Sequence, residues 1–444
     1  MKVNSNANVK ALKKEIGLME AITMVVGVVI GSGIFFKASS VFKNAGTPTL
    51  GILAWVVGGI ITIASALTIA EIATAIPKTG GIFVYLKELY SEKWAFLFGW
   101  MQAAIYVPGV AAALSIVFVT QATYFIPLTP VQQKLLAILI IFFITVVNII
   151  STKLGSRVQL AATVGKLIPI FVIIVFGILK GEAGSLASAS SSEVATAGLA
   201  GFGTAILGTL WAYDGWVGVG NMAGELKNPK KDIPRSIIIG LAITIAVYIL
   251  INIAIIKIMP VAQVIASEKA ASDAAVILFG NSGAALIAAG IMISIFGALN
   301  GYLMTGVRVP FAMAQDNLFP FAKFFGKISD RFETPVNTLL FEALLASLYV
   351  LSGSFETLTN LAVFAVWIFF VMTVAGIFIL RTKHKNIERP YTVPLFPIVP
   401  LIGIAGGIYI LISTLFTSTA YALYGLAVTA LGLPVYMLIK RKNK

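Results

Sequence analysis

The chain has 444 residues, of which 59% are apolar and only 11% are charged, and its mean hydropathy is +0.97. A soluble domain carries about 25% charged residues, so this composition excludes a soluble protein and indicates an integral membrane protein. The net charge is +14, and the lack of cysteine excludes disulfides and thiolate metal sites among these residues.

Apolar runs that are long enough to cross a bilayer as helices, about 20 residues each, recur along the whole chain. They predict an all-α integral membrane protein with 12 transmembrane helices. The predicted spans cover residues about 17–42, 50–76, 94–125, 131–151, 158–179, 200–224, 235–258, 283–315, 336–351, 356–380, 396–417 and 419–439. The loops between them are too short to hold a soluble catalytic domain.

Basic residues alternate between the two sides of these spans. Of the 32 lysines and arginines, 24 fall on the side of the membrane that holds the N-terminal segment and six fall on the other side. The remaining two, Lys166 and Arg308, fall within spans. By the positive-inside rule this asymmetry predicts that both termini lie in the cytoplasm. It also accounts for the net charge without a nucleic-acid partner.

The first span carries an interruption. Ala21–Phe36 reads AITMVVGVVIGSGIFF, and Gly31, Ser32 and Gly33 fall where the bilayer would be. Glycine permits backbone conformations that open a helix, and backbone groups freed at membrane depth need protein or a water-filled cavity around them. Half-helix ends at such a cavity form an ion or zwitterion site. A small-residue helix contact or a simple kink is the alternative.

The sixth span, Gly201–Gly224, has a second interruption, at Ala212–Gly215. It includes Asp214, and a carboxylate near the bilayer centre usually faces a cavity because burying it in lipid is costly. The two interrupted spans are equivalent if spans one to five and six to ten form two repeats, at about 17–179 and 200–380. An odd number of spans in each repeat makes the repeats inverted, and matched broken helices indicate a transporter site. The helices at about 396–439 would then be additional.

Four ordered motifs resemble the amino acid/polyamine/organocation (APC) superfamily, and within it the L-amino-acid transporter family, including its bacterial exchangers. They are GSGIFF, AEIATAIPKTGG at Ala70–Gly81, the run from Trp211 to Ser236, and the run from Ser294 to Asn317. The resemblance covers nearly the whole chain. It implies a single transmembrane transporter domain over 1–444, with a five-plus-five inverted repeat, discontinuous first and sixth helices, two extra C-terminal helices and alternating access.

The resemblance also implies substrate contacts made by the backbone. N–H groups of the first break would bind the substrate carboxylate, and carbonyls of both breaks would bind its ammonium group. Carried over to this chain, the N–H groups are those of Gly31, Ser32 and Gly33, and the carbonyls are those of Ile30, Trp211 and Ala212.

Trp211 occupies the position of a bulky family residue that closes over the substrate as a gate; a packing or interfacial tryptophan is the alternative. Tyr213, Asp214 and Gly215 line the same break. Many family members have glycine where Asp214 stands. Its carboxylate would therefore touch a polar substrate, take part in proton coupling, or bond the unwound backbone as a local cap, and the cap is slightly favoured.

Lys166 in the fifth span is a buried charge that needs carbonyls, a carboxylate or water around it. In sodium-coupled relatives a sodium ion bridges the first break to the eighth span. The resemblance implies that the Lys166 ammonium replaces it and touches span-one carbonyls around Gly27. A lysine that snorkels towards the cytoplasm is the alternative.

Other polar residues receive simpler interpretations. Glu71 and Glu225 lie at predicted cytoplasmic span ends and are expected to be solvated or paired with local lysines. Arg308 and Asp316 are interpreted as cytoplasmic anchors, and Asn300 is a weaker candidate for lining the cavity.

Together with these residues, the resemblance implies a sodium-independent exchanger of small neutral L-amino acids of the alanine, serine and threonine type, in a bacterial cytoplasmic membrane. A proton-coupled symporter is the alternative, while a channel or a membrane-embedded sensor lacks the expected filter or signalling domain. No enzyme motif, cofactor site or metal site is predicted. Eukaryotic relatives are disulfide-linked to a single-span partner, and a chain without cysteine cannot form that link.

Overall fold

The computed structural model describes residues 12–31, 33–182, 198–267, 270–352, 355–417 and 419–442. Within these ranges the chain forms helices, turns and loops, with one isolated parallel bridge between Ile16 and Leu226 and no strand. The all-α class is therefore confirmed for the described part of the chain.

Within the described residues most helices follow one another with short connections. In chain order they are α1 (Leu18–Val29), α2 (Gly33–Ala45), α3 (Pro48–Ala75), α4 (Ile82–Leu89), α5 (Glu92–Met101), a π-helical turn (Gln102–Tyr106), α6 (Val107–Ala122), α7 (Pro130–Ile150), α8 (Thr152–Lys180), α9 (Gly198–Ala212), α10 (Gly218–Asn221), α11 (Pro229–Ile258), α12 (Val261–Ala266), α13 (Ala270–Gly306), α14 (Arg308–Gln315), α15 (Ala322–Phe325), α16 (Val336–Ser352), α17 (Phe355–Lys383), α18 (Ile398–Thr417) and α19 (Thr419–Lys442).

Nine helices in the described residues are long and apolar enough to cross a membrane, and α1 with α2 makes a tenth if this pair, bent by 44°, is one span. The predicted sixth and ninth spans fall on shorter apolar helices, Gly201–Ala212 and Val336–Leu351. A multi-pass membrane protein is therefore confirmed, whereas the number of 12 spans stays a prediction.

The predicted eighth span, 283–315, corresponds to the apolar span Ile287–Gln315, which runs from α13 through Val307 into α14. Helix α13 begins earlier, at Ala270, and changes direction at Gly280, whose φ of 67° is non-helical. It ends at Gly306, and α14 continues after Val307. The turn at Gly280 uses the positive φ that glycine adopts without strain, so the residues Ala270–Gly280 form a separate short helix before the span.

Local sequence signals explain where several long helices begin. The Thr47 side chain accepts a hydrogen bond from the Leu50 N–H at 3.1 Å at the start of α3. Thr129 and Gln132 form a reciprocal capping box at the start of α7. Both α3 and α7 have proline in the first turn, where the missing proline N–H would have no intrahelical acceptor in any case.

The span composed of α5, the π turn and α6 forms the centre of the molecule together with α13. In the most apolar stretch of each of these two spans, 78% of the residues are buried. In the apolar stretch of α19 only 22% of the residues are buried, so α19 lies at the periphery, where lipid would contact it. Helix α1 packs against α8, α11 and α13, and α2 packs against α9. The two interrupted spans therefore meet inside the bundle.

Candidate functional site

The first break separates α1 from α2. The helix ends at Val29, the Gly31 N–H donates to the Val29 carbonyl at 2.8 Å, and α2 begins at Gly33. Ser32 lies outside the described residues. A Cβ on Gly33 would lie 2.6 Å from the Ala212 Cα, so only glycine allows this close approach to the second break. The interruption predicted at Gly31–Gly33 is thus present, and it contacts the other break.

The second break follows Ala212, where α9 ends, and lasts until α10 begins at Gly218. Gly215 has a φ of 103°, a conformation that favours glycine. A Cβ on Gly215 would also lie 2.4 Å from Cγ1 of Val28, so this turn packs directly on the end of α1. The predicted interruption of the sixth span is therefore present as well.

Tyr248 on α11 connects the two breaks. Its hydroxyl lies 2.7 Å from the Val29 carbonyl oxygen and 2.9 Å from the Ala212 carbonyl oxygen. These are carbonyls that the helix ends leave without an intrahelical partner. A hydroxyl has one proton, so it satisfies only one of the two carbonyls at a time. The other keeps an acceptor available for a second donor. The sequence interpretation did not single out Tyr248.

Lys166 on α8 is fully buried and lies beside the first break. Its ammonium group donates to the carbonyls of Gly27 and Ile30 at 2.6 Å each and to the carbonyl of Ser294 on α13 at 3.0 Å. These three acceptors match the three protons of an ammonium group. The snorkelling alternative is therefore wrong, because the charged end points into the bundle.

The Ile30 carbonyl accepts a second hydrogen bond, from the Ser294 hydroxyl at 3.0 Å. A carbonyl oxygen has two lone pairs, so both are occupied by Lys166 and Ser294. The expectation that this carbonyl binds the substrate ammonium group conflicts with this geometry. The Ala212 carbonyl, which shares the Tyr248 hydroxyl with the Val29 carbonyl, keeps acceptor capacity near the breaks.

Asp214 lies buried in the second break and binds side chains from other helices. Its Oδ2 accepts a short hydrogen bond from the Tyr106 hydroxyl and one of 3.3 Å from the Tyr302 hydroxyl, and its Oδ1 has no side-chain partner among the described residues. Tyr106 is the last residue of the π turn, a distortion often found at functional sites. The Gly215 backbone N–H also contributes a hydrogen bond to this carboxylate, so the local cap that the sequence favours stays a prediction.

Trp211 is partly buried and lines a small cavity between the two breaks. Asp214, Tyr302 and Ala298 also face this cavity, together with Val110 from α6. Its free volume is about 20 Å³, enough for about one water molecule. The neighbouring Tyr213 points away, and its hydroxyl donates to the Trp55 carbonyl at 3.1 Å.

Two acidic residues at helix ends differ from their predicted surroundings. Glu225 and Arg308 are both buried and form a two-pronged ion pair, with N–O distances of 2.7 and 2.9 Å. Glu71 is fully buried and pairs with Arg381 at 2.7 and 3.0 Å. The expected solvation or pairing with local lysines is wrong, because arginines from distant spans reach both carboxylates.

Asn300 does not line the small cavity. It is fully buried, its side-chain amide donates to Gln159 at 2.9 Å, and its carbonyl accepts from Asn148 at 2.9 Å. The three amides connect α7, α8 and α13. Asn300 therefore stabilises the contact between these helices.

Comparisons with known proteins agree with two facing helix breaks in a multi-pass bundle. Residues 16–434 match the model of the amino acid permease family, and the chain belongs to that family. It is 42% identical to the serine/threonine exchanger SteT of Bacillus subtilis, over 97% of this chain and 98% of that protein. It is 32% identical to the b(0,+)-type amino acid transporter 1 of Mus musculus, over 96% of this chain and 88% of that protein.

A third relative is the human large neutral amino acids transporter small subunit 2, which is 33% identical over 96% of this chain and 81% of that protein. The relatives are transporters and exchangers, so the chain is a membrane permease and not an enzyme.

Proposed function

We propose that this protein exchanges small neutral L-amino acids, such as alanine, serine and threonine, across a bacterial cytoplasmic membrane without using sodium. The observation that carries this proposal is the Lys166 ammonium group, which is bonded to carbonyls of both α1 and α13. A fixed cation at this place supplies the charge that a sodium ion would otherwise bring to the same carbonyls.

The substrate's charged groups would bind to the backbone of the two breaks. The N–H groups of Gly31, Ser32 and Gly33 would bind the carboxylate, since α2 begins at Gly33 and its helix dipole favours a negative charge there. The Gly31 N–H would first leave the Val29 carbonyl, to which it donates at 2.8 Å. The substrate ammonium group would bind at the C-terminal end of α9, at the carbonyls of Trp211 and Ala212. Backbone contacts of this kind recognise an α-amino acid without selecting its side chain.

The cavity walls support a small substrate. Val110 and Leu114 from α6 and Ala298 from α13 leave little room for a large side chain, and Trp211 would close over it as the gate. The free Oδ1 of Asp214 adds an acceptor for a substrate hydroxyl. A serine/threonine exchanger among the relatives is consistent with this preference.

We further propose an inverted repeat of 17–179 and 200–380, with the helices at 396–439 outside it. The helix contacts support this arrangement, because they occur in pairs that a five-span repeat would interchange. Thus α1 packs on α11 as α9 packs on α3, and α8 packs on α13 as α17 packs on α6. Both termini would be cytoplasmic, and transport would proceed by rocking of one helix bundle against the other.

The partners proposed are the amino acid and the lipid bilayer. The 444 residues contain no cysteine, so none of them can form a disulfide with a heavy subunit. No nucleic acid, metal or cofactor enters the proposed cycle.

The test is uptake of labelled serine and alanine into proteoliposomes, with and without unlabelled amino acid inside. We expect uptake only when internal amino acid is present, at rates that do not change with sodium or pH gradients. Uptake into empty vesicles driven by a proton gradient would instead establish the symporter alternative.

A further inference from the structure

A second cleft lies at the end of the molecule where α19 finishes, far along the chain from both helix breaks. It is bounded by the segment after α14 and by the last turn of α19, and its volume is about 610 Å³. Lys323 and Lys442 line it together with Phe321, Phe324 and Leu438. We call it the Lys323–Lys442 cleft.

The two lysines carry positive charge that nearby acids do not neutralise. Asp316, just before the cleft, is paired with Lys87 at 2.6 Å, and Glu92, beside α19, is paired with Lys440 at 2.6 Å. Among the described residues, no carboxylate lies within ion-pair distance of Lys323 or Lys442. The cleft is therefore suited to an anion.

The same cleft exposes large apolar side chains. The exposed fractions are 80% for Phe321, 57% for Phe324 and 65% for Leu438. Phe321 also has a positive φ of 52°, an uncommon and strained conformation for a bulky residue, and its ring remains outside the protein core. Lipid-facing α19 forms one wall, so these side chains lie at the edge of the membrane region.

We infer that the Lys323–Lys442 cleft binds an anionic phospholipid. The lipid phosphate would lie between the two ammonium groups, and an acyl chain would cover Phe321 and Leu438. Basic pockets at the ends of transmembrane helices favour anionic headgroups because the charge attraction acts where the surface is partly desolvated. An inorganic phosphate ion or an acidic peptide would leave the apolar side chains exposed to water.

Native mass spectrometry of the purified full chain with added phosphatidylglycerol or phosphatidylcholine tests this inference. The double variant Lys323→Gln/Lys442→Gln should bind phosphatidylglycerol about 30-fold more weakly, since each lysine near an anionic lipid contributes about 1 kcal/mol. Binding of phosphatidylcholine should change little. The double variant Lys323→Arg/Lys442→Arg, which keeps the charge, should retain phosphatidylglycerol.

The matched control is Lys383→Gln/Lys385→Gln, which removes two exposed lysines at the end of α17 and should leave lipid binding unchanged. Phe321→Asn introduces a residue that tolerates a positive φ, and it should weaken the binding of both lipids to the same extent. Equal phosphatidylglycerol binding by the wild type and the Lys323→Gln/Lys442→Gln variant would overturn the inference. Binding of inorganic phosphate as tight as that of the lipid would also overturn it, because the acyl chain would then contribute nothing.

Discussion

The two helix breaks face each other, but they are held in opposite ways. At the first break the charge comes from outside, because Lys166 on α8 donates to carbonyls of the broken segment. At the second break the charge belongs to the segment itself, because Asp214 accepts hydrogen bonds from Tyr106 and Tyr302 on neighbouring helices. Backbone atoms are thus fixed at the first break, whereas at the second a side chain is fixed and one of its oxygens remains available to the cavity.

This difference suggests a division of tasks. In the proposed cycle Lys166 would stabilise an unwound backbone whose shape suits every amino acid, while Asp214 would lie where substrate side chains differ. The predictions below test whether damage at the first break affects all substrates and damage at the second affects their discrimination.

The largest effect is expected for Lys166→Met. It leaves the Gly27 carbonyl, in the last turn of α1, without its donor, and it removes the link to the Ser294 carbonyl on α13. A buried unsatisfied group costs about 1–3 kcal/mol. Exchange of serine and of alanine should fall about 100-fold per membrane-inserted molecule, measured in proteoliposomes. Lys180→Met, at the end of the same helix, serves as the control and should exchange normally. Wild-type exchange by the Lys166→Met variant would refute the role of the fixed cation.

Trp211→Ala should have the next largest effect. Removing the indole opens the cavity wall, so the substrate is no longer closed off and exchange should fall about tenfold. Trp211→Phe, which keeps an aromatic ring, should retain most of the rate. If Trp211→Ala leaves both affinity and turnover unchanged, the gate assignment is incorrect.

Tyr248→Phe should have a moderate effect because it removes only the hydroxyl that the two breaks share. A hydrogen bond contributes about 0.5–1.5 kcal/mol, so the apparent affinity for serine and for alanine should change about threefold to tenfold. Tyr213→Phe is a matched control, since its hydroxyl binds the Trp55 carbonyl instead. Equal effects of the two variants in a competition assay would argue against a special role for Tyr248.

The smallest effect is expected for Asp214→Asn, and it should concern selectivity. Hydrogen bonds to a charged acceptor are stronger than those to a neutral one by about 1 kcal/mol, so the preference for serine over alanine should fall about fivefold. Asp273→Asn, on α13 and bonded to Ser267 at 2.5 Å, is the control. Equal losses for both amino acids would mean that Asp214 only holds the break in place.

Both breaks could be located from the sequence because glycine in a helix and a carboxylate in the bilayer each raise the free energy of an unbroken span. Such residues therefore indicate a break from their own position alone. Sequence reasoning identified Lys166 for the same reason. It missed Tyr248 and Ser294, because a tyrosine or serine within a span costs little and its partners depend on how distant helices pack. The π turn at Gln102–Tyr106 gave no sequence signal, although it brings Tyr106 to Asp214.

Pairing over long distances explains the remaining differences. Glu225 and Arg308 lie 83 positions apart, and Glu71 and Arg381 lie 310 positions apart. Charges at helix ends are usually solvated, and only the three-dimensional arrangement shows that these are buried. The occupied carbonyl of Ile30 is a similar case, since both of its donors come from other helices.

The small cavity between the breaks has a consequence for how tightly a substrate can bind. A cavity with room for about one water molecule cannot hold an amino acid, so its walls must separate before one can enter. The free energy needed to separate the walls offsets part of the free energy gained from contacts with the substrate, so the apparent dissociation constant is higher. Such a carrier would release its cargo readily, which favours rapid turnover over retention.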